Sequence, residues 1–206
     1  MIPEGEKIIR KAGHRRYVGG MWEKIGRLQF LFMLEQHLKP QHCFLDIACG
    51  SLRGGIHFIK YLETSNYLGI DKEGLLIDLG IKEELGFDTL KLKQPQFVVS
   101  STFEFKKFTK VPDFAIAQSL FTHLTSQDIE LCLSSLRQFV SGSHVFFASF
   151  FSGNSNKNHK VSNSRIGFYY PPETMVELGK KTGWKPTYIG HWNHPRGQVM
   201  MKYEAI

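Results

Sequence analysis

Short apolar runs alternate with longer amphipathic stretches from Cys43 to the end of the chain, and this alternation restricts the fold more than any other feature. Cys43-Phe44-Leu45-Asp46-Ile47 reads as a strand closed by the small residues Ala48-Cys49-Gly50. Residues 55–62 follow as a helix, with Ile56, Phe58, Ile59 and Leu62 at helical spacing. Tyr67 to Asp71 is a second strand and residues 75–85 a second helix. A third strand falls at 97–100 and a fourth at 114–117. The helix predicted over 126–140 carries Ile129, Leu133, Leu136 and Val140 on one face, and the fifth strand covers 145–150. Residues 152–164 are rich in Ser, Asn and Lys and read as a mobile loop. The stretch 172–182 opens as a helix should, with Pro and Glu in its first turn. Two last strands fall at 187–189 and 199–201. Strands that alternate with helices require an α/β architecture: a doubly wound, mostly parallel sheet, here of seven strands.

Ahead of this core, Trp22, Ile25, Leu28, Gln29, Phe32 and Leu34 mark a helix that runs to Leu38 before Pro40 stops it. The expected organisation is one domain over 1–206, with an N-terminal helical extension at 1–40 and the core at 41–206. A chain of 206 residues suffices for one full hydrophobic core. Cys43, Cys49 and Cys132 contain no C-x-x-C pair and are odd in number, so buried small hydrophobes are expected rather than disulfides or a zinc site. The apolar run His144 to Phe151 falls well short of the roughly 20 residues that cross a bilayer. Met1 to Lys7 is acidic and lacks an apolar region, so neither a signal peptide nor a membrane role is expected, and a cytoplasmic protein is. The formal charge is +7, and residues 1–27 hold seven Lys or Arg against three Glu. That excess suits an anionic partner such as a phosphorylated metabolite, a glycan or RNA, although dispersed basic residues also serve solubility.

In open α/β sheets a ligand sits beyond the carboxyl ends of the strands. The first strand here ends in Asp46-Ile47-Ala48-Cys49-Gly50-Ser51-Leu52-Arg53-Gly54-Gly55. Ala48 and Gly50 permit a sharp turn and a close approach of backbone to ligand. The first glycine of the dinucleotide fingerprint is missing, which disfavours a pyrophosphate site. Asp71 ends the second strand, where a carboxylate can accept two hydrogen bonds from a ribose diol.

On these residues the chain resembles the class I S-adenosylmethionine-dependent methyltransferases, in their small-molecule or sugar branch. Phe44 to Asp71 is similar to the first two cofactor motifs of that family. Ala117-Gln118-Ser119-Leu120-Phe121-Thr122-His123-Leu124 resembles the segment after its fourth strand, and Thr182-Gly183-Trp184 the step before its sixth. Leu52 departs from the pattern, standing where many members have a third glycine. The resemblance implies S-adenosylmethionine as cofactor and S-adenosylhomocysteine as product. It implies that Asp46 orients the turn and the methionine amino group, that Ala48 and Gly50 lie under the methionine and ribose, and that Asp71 holds the ribose hydroxyls. Lys72 would flank the adenine, Ser101 and Thr102 meet its edge, and Gln118 and Ser119 border the methionine end. Tyr17 and Trp22, beside the Gly19-Gly20 pair, would close over the cofactor as a lid or belong to a packing helix.

Methyl transfer to an alcohol benefits from a base, and neutral histidine suits that task near pH 7. His123 follows the fourth strand and is either that base or a cap for the helix near Thr125. His191 and His194 lie in Gly190-His191-Trp192-Asn193-His194-Pro195-Arg196-Gly197-Gln198, between the last two strands. Trp192 and His194 would line an acceptor pocket there, with Arg196 receiving an anionic group. No metal is expected, since two histidines without an assured carboxylate make a poor site. The acceptor is expected to be a small molecule or glycan, methylated on oxygen. Nucleic acid is disfavoured because no N-P-P-Y or D-P-P-Y motif follows the fourth strand. The alternatives are an RNA or protein methyltransferase that uses the basic N-terminal segment, and a non-catalytic cofactor-binding subunit.

Overall fold

The computed structural model describes residues 4–205 and divides the chain into two compact units, 1–101 and 102–206. The first unit opens with three helices, α1 (Glu4–Ala12), α2 (His14–Tyr17) and α3 (Trp22–Glu35). Strand β1 (Phe44–Ile47), helix α4 (Gly55–Tyr61), strand β2 (Tyr67–Asp71) and helix α5 (Gly74–Leu79) follow. The last turns into a π-helix over Gly80–Leu85, before helix α6 (Phe87–Lys93) and strand β3 (Gln96–Val99). The strands lie parallel in the order β3-β2-β1. Every residue of β1 and β2 is buried, Asp46 and Asp71 included, as expected of parallel strands covered on both faces.

The second unit contains β4 (Phe114–Ala117), α7 (Ser126–Phe139), β5 (Val145–Ser152), β6 (Tyr169–Tyr170), α8 (Pro172–Lys181), β7 (Trp184–His191) and β8 (Val199–Ala205). Its order is β4-β5-β8-β7, with β4 parallel to β5 and β8 antiparallel to both its neighbours. Pro186 is tolerated because β7 ends this order and needs partners on one side only. The seven expected strands are all present, and the two-residue β6, parallel to β5, is an eighth.

Other differences from the sequence reading are local. The amphipathic pattern of α6 is too weak to be read, and the structure buries none of its residues. The predicted loop 152–164 contains a 3-10 turn at Ser155–Lys157, and the Asn158 side chain donates to the Tyr169 carbonyl at 2.8 Å and accepts from Tyr169 N–H at 2.9 Å. The three cysteines are free thiols, all buried. No helix among the described residues is long and apolar enough to cross a membrane.

Two glycines bring helices against the loop that follows β1. A Cβ on Gly26 of α3 would run into the Arg53 carbonyl oxygen, and one on Gly80 would stand 2.7 Å from the Ser51 carbonyl group. Alanine in a helix interior ordinarily gains about 1 kcal/mol over glycine. Here the sign reverses, because the obstructing atom is backbone and cannot swing away. Gly26→Ala is expected to lose about 2–3 kcal/mol in urea denaturation. A gain in stability would show that α3 can lift away from the loop.

Candidate active site

The loop after β1 is built from residues that alternate into left-handed backbone: Ala48 (φ 61°), Gly50 (φ 54°) and Leu52 (φ 66°). Each non-glycine in that region costs on the order of 1–2 kcal/mol, so the surroundings must hold it there. They do so through hydrogen bonds. Cys49 N–H donates to the Ile70 carbonyl at 3.1 Å, and Leu52 N–H to the Cys49 carbonyl at 3.1 Å. Gly50 N–H donates to Asp71 Oδ2 at 2.8 Å, while Asp71 Oδ1 accepts from Glu73 N–H at 2.9 Å. Asp71 therefore clamps the loop to the end of β2, and each of its oxygens retains a second lone pair. Burial pushes its carboxyl pKa up, and the two backbone donors pull it back.

Asp46 is buried at the centre of β1 and accepts a 2.8 Å hydrogen bond from the Tyr67 hydroxyl. Desolvation raises its pKa to about 7, the Tyr67 bond opposes the rise, and the Asp71 charge adds to it. The folded protein thus holds a proton here that the unfolded chain, with its ordinary value of 3.8, releases. The resulting stabilisation is full below about pH 4, is lost as pH rises toward about 7, and then levels off. Tyr67→Phe removes a bond that lowers the Asp46 pKa, so the midpoint should move above 7 in a carbon-13 titration of the carboxyl group. An unchanged or lower midpoint would contradict this account. Gly55 has its role here too, since a Cβ at that position would lie 2.6 Å from the Tyr67 hydroxyl. Gly54 is similarly constrained by Gln29 Oε1, at 2.7 Å from its hypothetical Cβ. Both glycines accommodate protein side chains.

Arg53 is buried, and its Nη1 donates to the Val18 carbonyl at 2.8 Å and the Gly20 carbonyl at 2.9 Å. Val18 packs so closely that a Cβ on Gly50 would meet its Cγ1 at 2.9 Å. The segment that carries Tyr17 is thereby fastened against the β1 loop. Tyr17 is half-buried there. Trp22 is buried with the His14 ring on its edge at 5.6 Å and the Arg15 guanidinium 4.9 Å from its centroid. Arg15 in turn makes a two-pronged ion pair with Glu84, both contacts at 2.7 Å. Trp22 is thus part of the N-terminal helical packing. Lys72, Ser101 and Thr102 are exposed.

Of the buried polar atoms in this unit, one in the β1 loop bears on a ligand. Ser51 is fully buried in the β1 loop, and its hydroxyl makes no hydrogen bond among the described residues. An unmatched buried hydroxyl costs on the order of 1–3 kcal/mol. A polar cofactor against this loop would satisfy it, so the residues present fit a nucleoside carrying a charged amino-acid tail.

In the second unit the end of β4 meets the β7–β8 turn. The Gln118 carboxamide lies 2.7 Å from Ser119 Oγ and 3.0 Å from His194 Nε2. Gln198 Nε2 donates to Ser119 Oγ at 2.6 Å, Ser149 Oγ donates to Gln198 Oε1 at 2.8 Å, and Ser119 N–H donates to Ser149 Oγ at 2.8 Å. Gln118, Ser149, His194 and Gln198 are all buried. Ser119, at φ 61°, is held in left-handed backbone by these contacts. Ser149 and Gln198 have no place in the sequence reading. A lone serine inside the apolar run Val145–Ser152 and a polar residue just before β8 are the signals that could have revealed them.

The network also separates the histidines. Arg196 N–H donates to His194 Nδ1 at 3.3 Å, and His194 Nε2 lies 3.0 Å from the Gln118 amide nitrogen, so both ring nitrogens face donors. Trp192 stacks on the same ring at 5.3 Å. His123 faces an acceptor instead. Its Nδ1 lies 2.9 Å from the Ile166 carbonyl, which can only accept, so Nδ1 holds the proton and the lone pair is on Nε2. It does not cap α7, because Thr125 does so by accepting from Asp128 N–H. His191 is exposed in β7, and Arg196 is exposed in the turn. The structure thus brings Gln118, Ser119, His194 and Trp192 together, and leaves His191 outside that cluster.

No protein-family model matches the chain, and no curated protein sequence does. Solved structures match nearly all of it. A magnesium protoporphyrin IX methyltransferase from Synechocystis PCC 6803, with bound S-adenosylhomocysteine, is 11% identical over 98% of this chain and 100% of its own, with a TM-score of 0.66. An S-adenosylmethionine-dependent methyltransferase from Aquifex aeolicus is 13% identical over 100% of both chains, at 0.67. The CcbJ methyltransferase from Streptomyces caelestis is 11% identical over 92% of this chain and 98% of its own, at 0.69. The fold is therefore the Rossmann-like fold of class I methyltransferases.

Proposed function

We propose that this chain is a cytoplasmic S-adenosylmethionine-dependent methyltransferase, one domain over its whole length, acting on an oxygen of a small-molecule or sugar acceptor. The observation that carries the cofactor assignment is the β1 loop, in which buried Asp71 holds Gly50 while Ser51 presents an unmatched buried hydroxyl. The first of the similar structures is named for a small-molecule substrate, magnesium protoporphyrin IX, and this favours an acceptor of that size class. When bound, the cofactor supplies a sulfonium methyl group for in-line displacement by the acceptor oxygen, leaving S-adenosylhomocysteine. Asp71 keeps lone pairs for the ribose hydroxyls, and Ser51 donates its hydroxyl to the amino-acid tail. Ala48 and Gly50 give that tail a surface with little side-chain bulk. Residues 17–20, fastened by Arg53, act as the lid that excludes water. His123 takes the acceptor proton on Nε2, while Nδ1–H stays on the Ile166 carbonyl. His194 instead orients Gln118, and Arg196 is available to an anionic acceptor group.

The test is transfer of labelled methyl from S-adenosylmethionine into a fractionated cell extract that separates metabolites, glycans, RNA and protein. Label in the metabolite or glycan fraction supports the reading. Label in RNA or protein replaces the acceptor class and keeps the methyltransferase. Absence of label together with binding of S-adenosylhomocysteine would mean a non-catalytic subunit, and absence of both would end the cofactor assignment.

A further inference from the structure

Within residues 102–206, an open surface cavity of about 390 Å³ lies between the first turn of α7, the 155–160 segment and the start of α8, with His159 and Lys160 exposed at its edge. That volume suits a small ligand. Its lining departs from the ordinary ligand site, which is mostly apolar. Among the described residues, all nine that line it bear polar side chains, and neither Asp nor Glu is one of them. Lys160 contributes a positive charge, His159 an imidazole ring, and Ser126, Ser155 and Thr174 contribute hydroxyls. A neutral apolar molecule would gain little by entering such a space, and a cation would be repelled. An oxyanion that also bears hydroxyl groups would be matched in both sign and hydrogen-bonding capacity.

The walls are already ordered. Asn158 is tied to both backbone groups of Tyr169, and the Tyr170 hydroxyl donates to the Leu124 carbonyl at 2.7 Å. Asp128, the carboxylate on the same turn of α7, has its Oδ2 engaged by the Thr125 and Ser162 hydroxyls. The cavity begins two residues after His123, on the segment that leaves the carboxyl end of β4. We infer that it binds the phosphoryl group and neighbouring hydroxyls of a phosphorylated sugar, with Lys160 on the phosphate. Identifying that ligand as the methyl acceptor rests on the proposed methyltransferase reading, whereas the binding itself does not.

The experiment is a set of amide NMR titrations of the full chain with glucose 6-phosphate, inorganic phosphate and glucose at constant ionic strength. S-adenosylhomocysteine affinity is measured separately. Saturable shifts at Ser126, Gln127, His159 and Lys160 are expected with both phosphates, tighter for the sugar phosphate and absent with glucose. Lys160→Glu should weaken both phosphates by about tenfold or more and leave S-adenosylhomocysteine affinity unchanged. Absent or unsaturable shifts, or shifts indifferent to Lys160→Glu, would overturn the site. Equal affinity for inorganic phosphate and the sugar ester would overturn the sugar assignment. Loss of S-adenosylhomocysteine binding with intact phosphate binding would count against the cofactor reading alone.

Discussion

Replacing His123 with asparagine is expected to lower methyl transfer by a factor of about 10²–10⁴ with S-adenosylhomocysteine affinity unchanged. The choice of asparagine follows from the tautomer. Its side-chain amide can donate to the Ile166 carbonyl as Nδ1 does now, so the link between the segment after β4 and residue 166 survives. What the substitution removes is Nε2 and its lone pair. His123→Ala removes both and serves as the comparison. If His123→Asn retained nearly full activity while His123→Ala lost it, the ring would be a tether for the loop and the base would have to be sought elsewhere. Both variants are read by initial rates at saturating cofactor, next to a calorimetric titration with S-adenosylhomocysteine.

Asp71→Ala is expected to reduce S-adenosylhomocysteine affinity at least about 100-fold, equivalent to about 2.7 kcal/mol. Two losses combine. The ribose hydroxyls lose their acceptor, and the N–H groups of Gly50 and Glu73 lose theirs in a buried place. Hydrogen bonds to a charged group contribute about 1.5–3 kcal/mol each, offset here by the cost of burying the carboxylate. The free protein should therefore be destabilised as well, and urea denaturation without ligand separates that effect from binding. Asp71→Asn keeps one acceptor and sets an amide group against one backbone donor, so it should fall between wild type and alanine. Affinity of Asp71→Ala within threefold of wild type would remove the residue from the cofactor site.

The positions of β2 and β4 were the most legible part of the chain. Both are short, dominated by apolar residues and bounded by polar turns, and both lie where the sequence places them, whereas β5, β7 and β8 extend beyond their expected bounds. The β1 loop was legible because small residues after an apolar strand serve few other purposes. Its supports were not. Tyr67, at the start of β2, reads as one more strand aromatic, and only the register that sets Phe44 opposite it brings its hydroxyl to Asp46. Arg53 reads as a helix-start cation until the carbonyls of Val18 and Gly20, more than thirty positions away, are seen to receive it. The pair Gly54-Gly55 makes room for Gln29 and Tyr67, which no local pattern announces. Local pattern encodes period and turn, whereas these contacts depend on which distant segments the topology makes neighbours. His123 and His194 are alike in sequence, and only their hydrogen-bond partners tell one from the other.

The fastening of residues 15–20 has a consequence for how the molecule is made. This segment is synthesised well before its anchors, which are Arg53 and, 69 positions along the chain from Arg15, Glu84. It must wait until both have been synthesised before it can dock, while α3 can form at once from its own residues. The β1 loop is therefore completed late in folding by a segment made before it. In pulse-labelled hydrogen exchange during refolding, the amides of Val18 and Gly20 should gain protection after those of α3.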